Sequence, residues 1–170
     1  RTLSLRPIER IDDDVVRFYA AGGASEVVVV RTPAFLNYRL FDNPRGRYTV
    51  TGAWRDGALA GLVAWRVVHN GQSGRAAHII DIRADGTRPG PILRKLLLHV
   101  GRQAESAGCS HVSLMMHRPP GGVALWWSGF LAARHNQKVF GLHASDPAVM
   151  AELSGATWSL TVLCDDNDGS

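Results

Sequence analysis

Among the residues able to do acid–base chemistry, the best placed is Asp81, in an apolar run just ahead of the chain's strongest helical pattern. A carboxylate in such a setting could do general acid–base work. His78 stands three residues earlier, and strand alternation puts it on the opposite face from Asp81. His111 and His117 flank the next expected strand, and His117 is the second candidate for proton transfer. A different chemistry is available at residues 88–92, Arg-Pro-Gly-Pro-Ile, where a helix begins. Helix N-termini present free N–H groups and the positive end of the dipole, and so hold phosphate. Nucleophilic and metal chemistry find little support. Cys109 and Cys164 lie in apolar settings and read as reduced, partly buried thiols of a cytoplasmic protein. The seven histidines do not pair with a cysteine or with one another at ligand spacing. Asp165-Asp166-Asn167-Asp168 lacks the glycine and closing glutamate of a calcium loop, so no metal site is expected.

These groups need a scaffold, and 170 residues with 45% hydrophobic content suit one domain with a full core, spanning residues 1–164, followed by a polar tail at 165–170. A net charge of +4 without any concentrated Lys/Arg run argues against a nucleic-acid partner. No apolar run reaches the roughly 20 residues of a membrane span, and no signal peptide opens the chain. The chain opens on Arg1 rather than Met, which is compatible with a longer protein.

The elements can be read in order. Residues 2–6 alternate as a strand. Asp12, Asp13 and Asp14 mark a helix start, with Ile11, Val15, Phe18 and Tyr19 on one face, and Gly22-Gly23 ends that helix. Val27–Val30 forms a strand or extended link. Thr32-Pro33 caps a second helix running to Phe41, with Phe35, Leu36 and Leu40 as its core candidates. A three-strand meander follows: Tyr48–Trp54, Leu59–Val68 and Ala76–Ala84. Asp56-Gly57 makes its first tight turn and Gly71–Gly74 its second. Ile92, Leu96, Val100 and Ala104 form the stripe of the main helix, which Gly108 stops. Val112–Met116 is a strand that an ordinary crossover lays beside the third meander strand. Ala124–Phe130 is a short helix or turn. Lys138–Leu142 and Thr157–Leu163 close the pattern as strands.

That order resembles the GNAT acetyltransferase superfamily over essentially the whole chain. Three fragments carry the likeness: Asp56–Gly61 as the second hairpin, Arg88-Pro89-Gly90 ahead of the helix ending at Ala107-Gly108-Cys109, and Ser128-Gly129-Phe130 after the short helix. The resemblance implies an α/β (α+β) fold, with a mixed, mostly antiparallel twisted sheet of six to seven strands flanked by about four helices. It implies an acyl-CoA-dependent N-acyltransferase, using acetyl-CoA or another acyl-CoA as co-substrate. The acceptor would be a primary amine of a small molecule, amino sugar or peptide. Ile82, Arg83, Arg88, Gly90 and Ile92 would then line the coenzyme. Tyr38, Arg39, Arg45 and Trp126 would lie on the acceptor or acyl side.

The chain departs from the family pattern at the central motif. Counting back from Gly108, Pro91 and Leu93 fall where the family places two glycines, and proline has no N–H to give. Trp126 and Leu125 occupy the places where many members carry a tyrosine, and an indole cannot release a proton. An alternative therefore stands beside the enzyme. It is a catalytically inactive GNAT-like binding or assembly module, half of a tandem protein; a homodimer or a partner domain is compatible with either reading.

Overall fold

The structure, a computed structural model, describes residues 2–20, 26–27, 32–44, 46–70, 74–86, 89–114, 122–131, 147–148 and 157–158. Strand β1 (Leu3–Pro7) leads into helix α1 (Asp13–Ala20), and β2 (Glu26–Val27) precedes helix α2 (Pro33–Asn37). Helix α2 passes directly into a π-helical turn, Tyr38–Asp42. Then follow β3 (Thr49–Arg55), β4 (Ala58–Asn70), β5 (Gly74–Ala84), α3 (Gly90–Ser106), β6 (His111–Leu114), α4 (Gly122–Trp127) and β7 (Thr157–Trp158).

The main sheet has five strands in the order β1-β3-β4-β5-β6. Its first four are antiparallel neighbours, and β6 joins β5 in parallel after the α3 crossover. The residues expected in a last strand, 157–158, do not extend this sheet. They pair in parallel with β2 as a separate two-stranded ribbon. The expected strand at 138–142 and the tail at 165–170 lie outside the described residues.

Local chemistry explains most boundaries. Asp12 Oδ1 accepts the Val15 N–H at 3.0 Å, and Thr32 Oγ1 accepts the Phe35 N–H at 3.1 Å, so both helices begin on a side-chain cap. The β3–β4 turn places Asp56 and Gly57 at φ 51° and 83°, the left-handed pair that a two-residue hairpin requires.

Each face of the sheet carries its own core. On one side α3 lays Ile92, Leu93, Leu96, Leu97, Val100 and Ala104 against Val63, Trp65, Ala77, Ile79 and Ile82. On the other, Val15 and Tyr19 of α1 and Leu36 and Leu40 of α2 and its π turn cover Tyr48, Val50, Leu62, Ala64 and Ile80. Phe35, expected in the core, is instead exposed. Leu36 and Leu40, four apart, take up the inward face of this short helix, and Phe35 sits one residue off it.

Gly61 sets how closely α3 can approach. A Cβ at this position would stand 2.6 Å from Ile92 Cγ2 and 2.9 Å from the Arg83 carbonyl oxygen. Only a glycine lets the first turn of α3 rest directly on β4.

Candidate active site

The site region lies along β5 and the start of α3. The parallel pairing of β5 with β6 runs through four register pairs, from Ala76↔His111 to Ile79↔Leu114. Beyond Ile79, β5 continues to Ala84 with no β6 partner among the described residues. At this same point β5 is irregular. Ala64 and Trp65 of β4 are consecutive, yet they face Asp81 and Ile79, so Ile80 is an inserted residue. Such a bulge reverses the alternation of the strand.

The bulge overturns one expectation. His78 and Asp81 lie on the same face, not on opposite ones. Directly opposed residues share a face. Arg66, opposite His78, stacks on Tyr48, which belongs to the core beneath α1 and α2. Ala64, opposite Asp81, belongs to that core too. The α1/α2 face of β5 therefore carries His78, Ile80, Asp81 and Arg83 in succession.

The expected site residues fall into distinct settings. Asp81 is fully enclosed, with 0% exposure, between the sheet and the α1/α2 layer. Arg39 is 7% exposed on the π turn, while its neighbour Tyr38 is 58% exposed. The wide turn thus sends one of two adjacent polar residues inward and the other to solvent. Arg83 packs over the Tyr19 ring, 5.4 Å from its centroid, and donates from Nη1 to the Tyr19 carbonyl oxygen at 3.3 Å. Its side chain thereby ties β5 to the last turn of α1. Ile82 and Ile92 are both buried in the α3-side core. Trp126 on α4 is 68% exposed. Arg45, Arg88 and His117 lie outside the described residues.

The start of α3 decides what its end can bind. Pro89 stands at the cap without a side-chain hydrogen bond, and Pro91 has no N–H. The Ile92 and Leu93 amides both donate to the Pro89 carbonyl at 3.0 Å. Leu93, at an expected glycine position, is buried in the core. Gly90 is different. Nothing lies within 4 Å of where its Cβ would be, and its N–H has no partner among the described residues.

A neighbouring row was not singled out as a site by sequence reasoning. Arg66, His78 and Ser113 stand side by side across β4, β5 and β6, and His111 lies diagonally beside His78. Burial first, and then the positive charges of Arg66 and His111, hold the His78 imidazole below its usual 6.5. The sequence signal is the alternation of His111 and Ser113 on β6 beside the single His78 of β5. Their convergence depends on strand register, which the sequence does not print.

Among the described residues no group of three or more His, Cys, Asp or Glu side chains could hold a metal ion, and no helix is long and apolar enough to cross a membrane. Cys109 is a free, partly buried thiol.

No protein-family model and no curated protein sequence matches this chain. Solved structures do. The ribosomal-protein-alanine N-acetyltransferase of Brucella melitensis biovar Abortus 2308 aligns with a TM-score of 0.62 at 18% identity, over 86% of this chain and 100% of that one. An aminoglycoside acetyltransferase from an uncultured soil metagenomic sample aligns with a TM-score of 0.58 at 16% identity, over 85% and 97%. The glucosamine-6-phosphate N-acetyltransferase of Arabidopsis thaliana aligns at 0.55 and 15% identity, over 86% and 100%. Identities this low speak for the backbone and not for the substrate. This likeness, over a sheet with a parallel β5–β6 pair after the long crossover helix and helical cover on both faces, establishes that this chain is built on the fold of the GNAT N-acetyltransferases.

Proposed function

We propose that this chain is an acyl-CoA-dependent N-acyltransferase that moves an acetyl group to a primary amine. The observation that carries the reading is the likeness of this backbone to solved N-acetyltransferases, together with Gly90 at the start of the crossover helix. Asp85 N–H donates to the Ala60 carbonyl on β4 at 2.9 Å. By alternation the peptide groups of Ile82 and Ala84 turn away from β4. Backbone amides facing away from a neighbouring strand can pair with an extended ligand that carries its own amides. Acyl-CoA has such amides in its pantetheine arm and an anionic pyrophosphate beyond them. The Gly90 amide, following β5 at the open start of α3, supports a place for that anion. Arg88, one residue before Pro89, would add a positive charge.

The chain's own residues supply the rest. The acceptor arrives as an ammonium and must lose a proton before its nitrogen can attack. Asp81, beside the bulge, is the proposed base. Because its carboxylate is enclosed, a relay must carry the proton to it. His117 is the second candidate. The amine nitrogen then bonds to the acyl carbon, the carbon–sulfur bond breaks, and the thiolate takes its proton from solvent. Exposed Trp126 provides apolar area beside the acyl group. Tyr38, Arg39 and Arg45 line the acceptor side, which α2 and the turn after it bound. The acceptor is a small-molecule or peptide amine, and the two thiols suit a cytoplasmic setting.

One observation favours a second reading, a non-catalytic binding or assembly module. Pro91 gives no amide and the Ile92 amide is spent on Pro89, so α3 offers an anion little beyond Gly90. Thermal denaturation with acetyl-CoA separates the two. At a hundredfold excess over Kd, a bound ligand stabilises the native state by about 2.7 kcal/mol. A clear rise in Tm is expected. An unchanged Tm with acetyl-CoA and with longer acyl-CoAs would leave only the second reading.

A further inference from the structure

An open cleft of about 280 Å³ lies between α1, the β3–β4 turn and Asp85, the residue that follows β5. Asp14 and Phe18, one turn apart on α1, line one side of it. Trp54 and Leu59 are paired across the β3–β4 hairpin, share a face and line another. Asp85 closes the third. Its N–H donates to the Ala60 carbonyl oxygen at 2.9 Å, which fixes its backbone beside β4. Four residues of extended chain, about 13 Å, separate Asp85 from Asp81. The cleft is therefore distinct from the proposed base, and none of these side chains has a part in the chemistry described above.

The lining selects one sign of charge. Both of its ionisable side chains are carboxylates, and both are exposed. Asp14 Oδ1 is paired with Arg17, and Asp85 Oδ1 accepts the Gly86 N–H. The second oxygen of each carboxylate makes no hydrogen bond or ion pair among the described residues. The Arg17–Asp14 pair is an exposed one on a single helix, with side chains 75% and 72% accessible, and such a pair yields readily to a competing cation. Trp54 Nε1 is shielded from solvent and stands 2.8 Å from where a Cβ on Gly52 would be. The indole therefore offers the cleft ring carbon and no donor, as Phe18 does. Aromatic faces attract cations through their quadrupole.

We infer that this cleft binds a compact organic ammonium, its charge toward the Asp14 and Asp85 carboxylates and its hydrocarbon against Phe18, Trp54 and Leu59. The inference does not depend on the transferase reading. A divalent metal ion suits the lining less well. It takes about six or more oxygens, whereas two carboxylates stand here among carbon walls. An anion would meet only negative side chains and ring faces. The volume lies near the lower end of the roughly 300–1,000 Å³ of small-molecule sites, which favours a compact ligand over an extended chain.

The test titrates choline and its neutral isostere, 3,3-dimethylbutan-1-ol, into the full chain by calorimetry without acetyl-CoA. A quaternary ammonium has no N–H to lose, so choline cannot stand in for the acceptor amine at the reacting nitrogen. Choline is expected to bind about tenfold more tightly than the isostere. Asp14→Asn and Asp85→Asn, both at exposed positions, should each lower that preference about threefold, and the double variant should erase it. Arg17→Gln releases Asp14 and should strengthen choline binding. Equal binding of choline and the isostere, or a preference that survives the double substitution, overturns the site. Calcium chloride binding more tightly than choline, and lost in the same double variant, would overturn it in favour of a metal ion. If choline is preferred but acetyl-CoA leaves Tm unchanged, the cleft stands and the transferase reading falls.

Discussion

Arg83 and Tyr19 are locked together across the interface between sheet and helix, with the guanidinium over the ring and Nη1 on the carbonyl oxygen of the same residue. Tyr19 lies in the last turn of α1, where backbone carbonyls lack intrahelical donors and favour a cation. One arginine thus satisfies a helix end, covers an aromatic face and joins the strand before α3 to the helix on the far side. Arg83→Met should lower stability by about 1–2 kcal/mol, measured by urea denaturation. If Arg83 acts on α1 alone, the acetyl-CoA-induced Tm rise persists in the variant. Its loss would return Arg83 to the coenzyme.

Gly61→Ala tests the seating of α3. The new methyl group would collide with Ile92 Cγ2 and the Arg83 carbonyl, and a backbone carbonyl cannot rotate out of the way. Overpacking of this kind costs about 1–3 kcal/mol. The first turn of α3 moves with Ile92, so the response to acetyl-CoA should weaken more than in a destabilised variant away from the start of α3, such as Thr32→Ala.

Thr32→Ala removes the acceptor of the Phe35 N–H and leaves the sheet untouched. A loss of about 1 kcal/mol is expected, seen as a lower denaturation midpoint with an unchanged slope. An unaltered midpoint would mean that Leu36 and Leu40 alone hold α2.

Asp81→Asn preserves shape and removes the charge. If Asp81 is the base, kcat for acetyl transfer falls about a hundredfold or more, while the Tm rise with acetyl-CoA remains. Unchanged kcat would move the base to His117.

Stability should depend on pH through two histidines. Burial, followed by Arg66 and His111, lowers the proton affinity of His78, and burial, followed by Arg102, lowers that of His99. The folded state therefore binds these protons less readily than the unfolded chain, whose histidines titrate near 6.5. As pH falls through 6.5 the unfolded state gains protons first, and stability declines; it is regained as pH rises above that value. The double variant His78→Gln/His99→Gln should flatten urea midpoints between pH 5 and pH 7. A slope that persists in the double variant would assign it to other groups.

Much of this molecule is legible from local pattern. The Ile92–Ala104 stripe, the Val15/Tyr19 face of α1, the Thr32 cap and the Asp56-Gly57 turn each depend on residues within a few positions of one another. Periodicity and dihedral preference act over that range, so element order and fold class follow from sequence. Only the tertiary structure decided how the polar residues meet. The inserted Ile80 appears when β4 and β5 are aligned, and it brings His78 round to the face of Asp81. The π turn directs Arg39 inward and leaves Tyr38 outside, and α1 claims Arg83. Strand register and helix docking are settled by contacts between distant segments, and a side chain's direction within one segment does not carry that information.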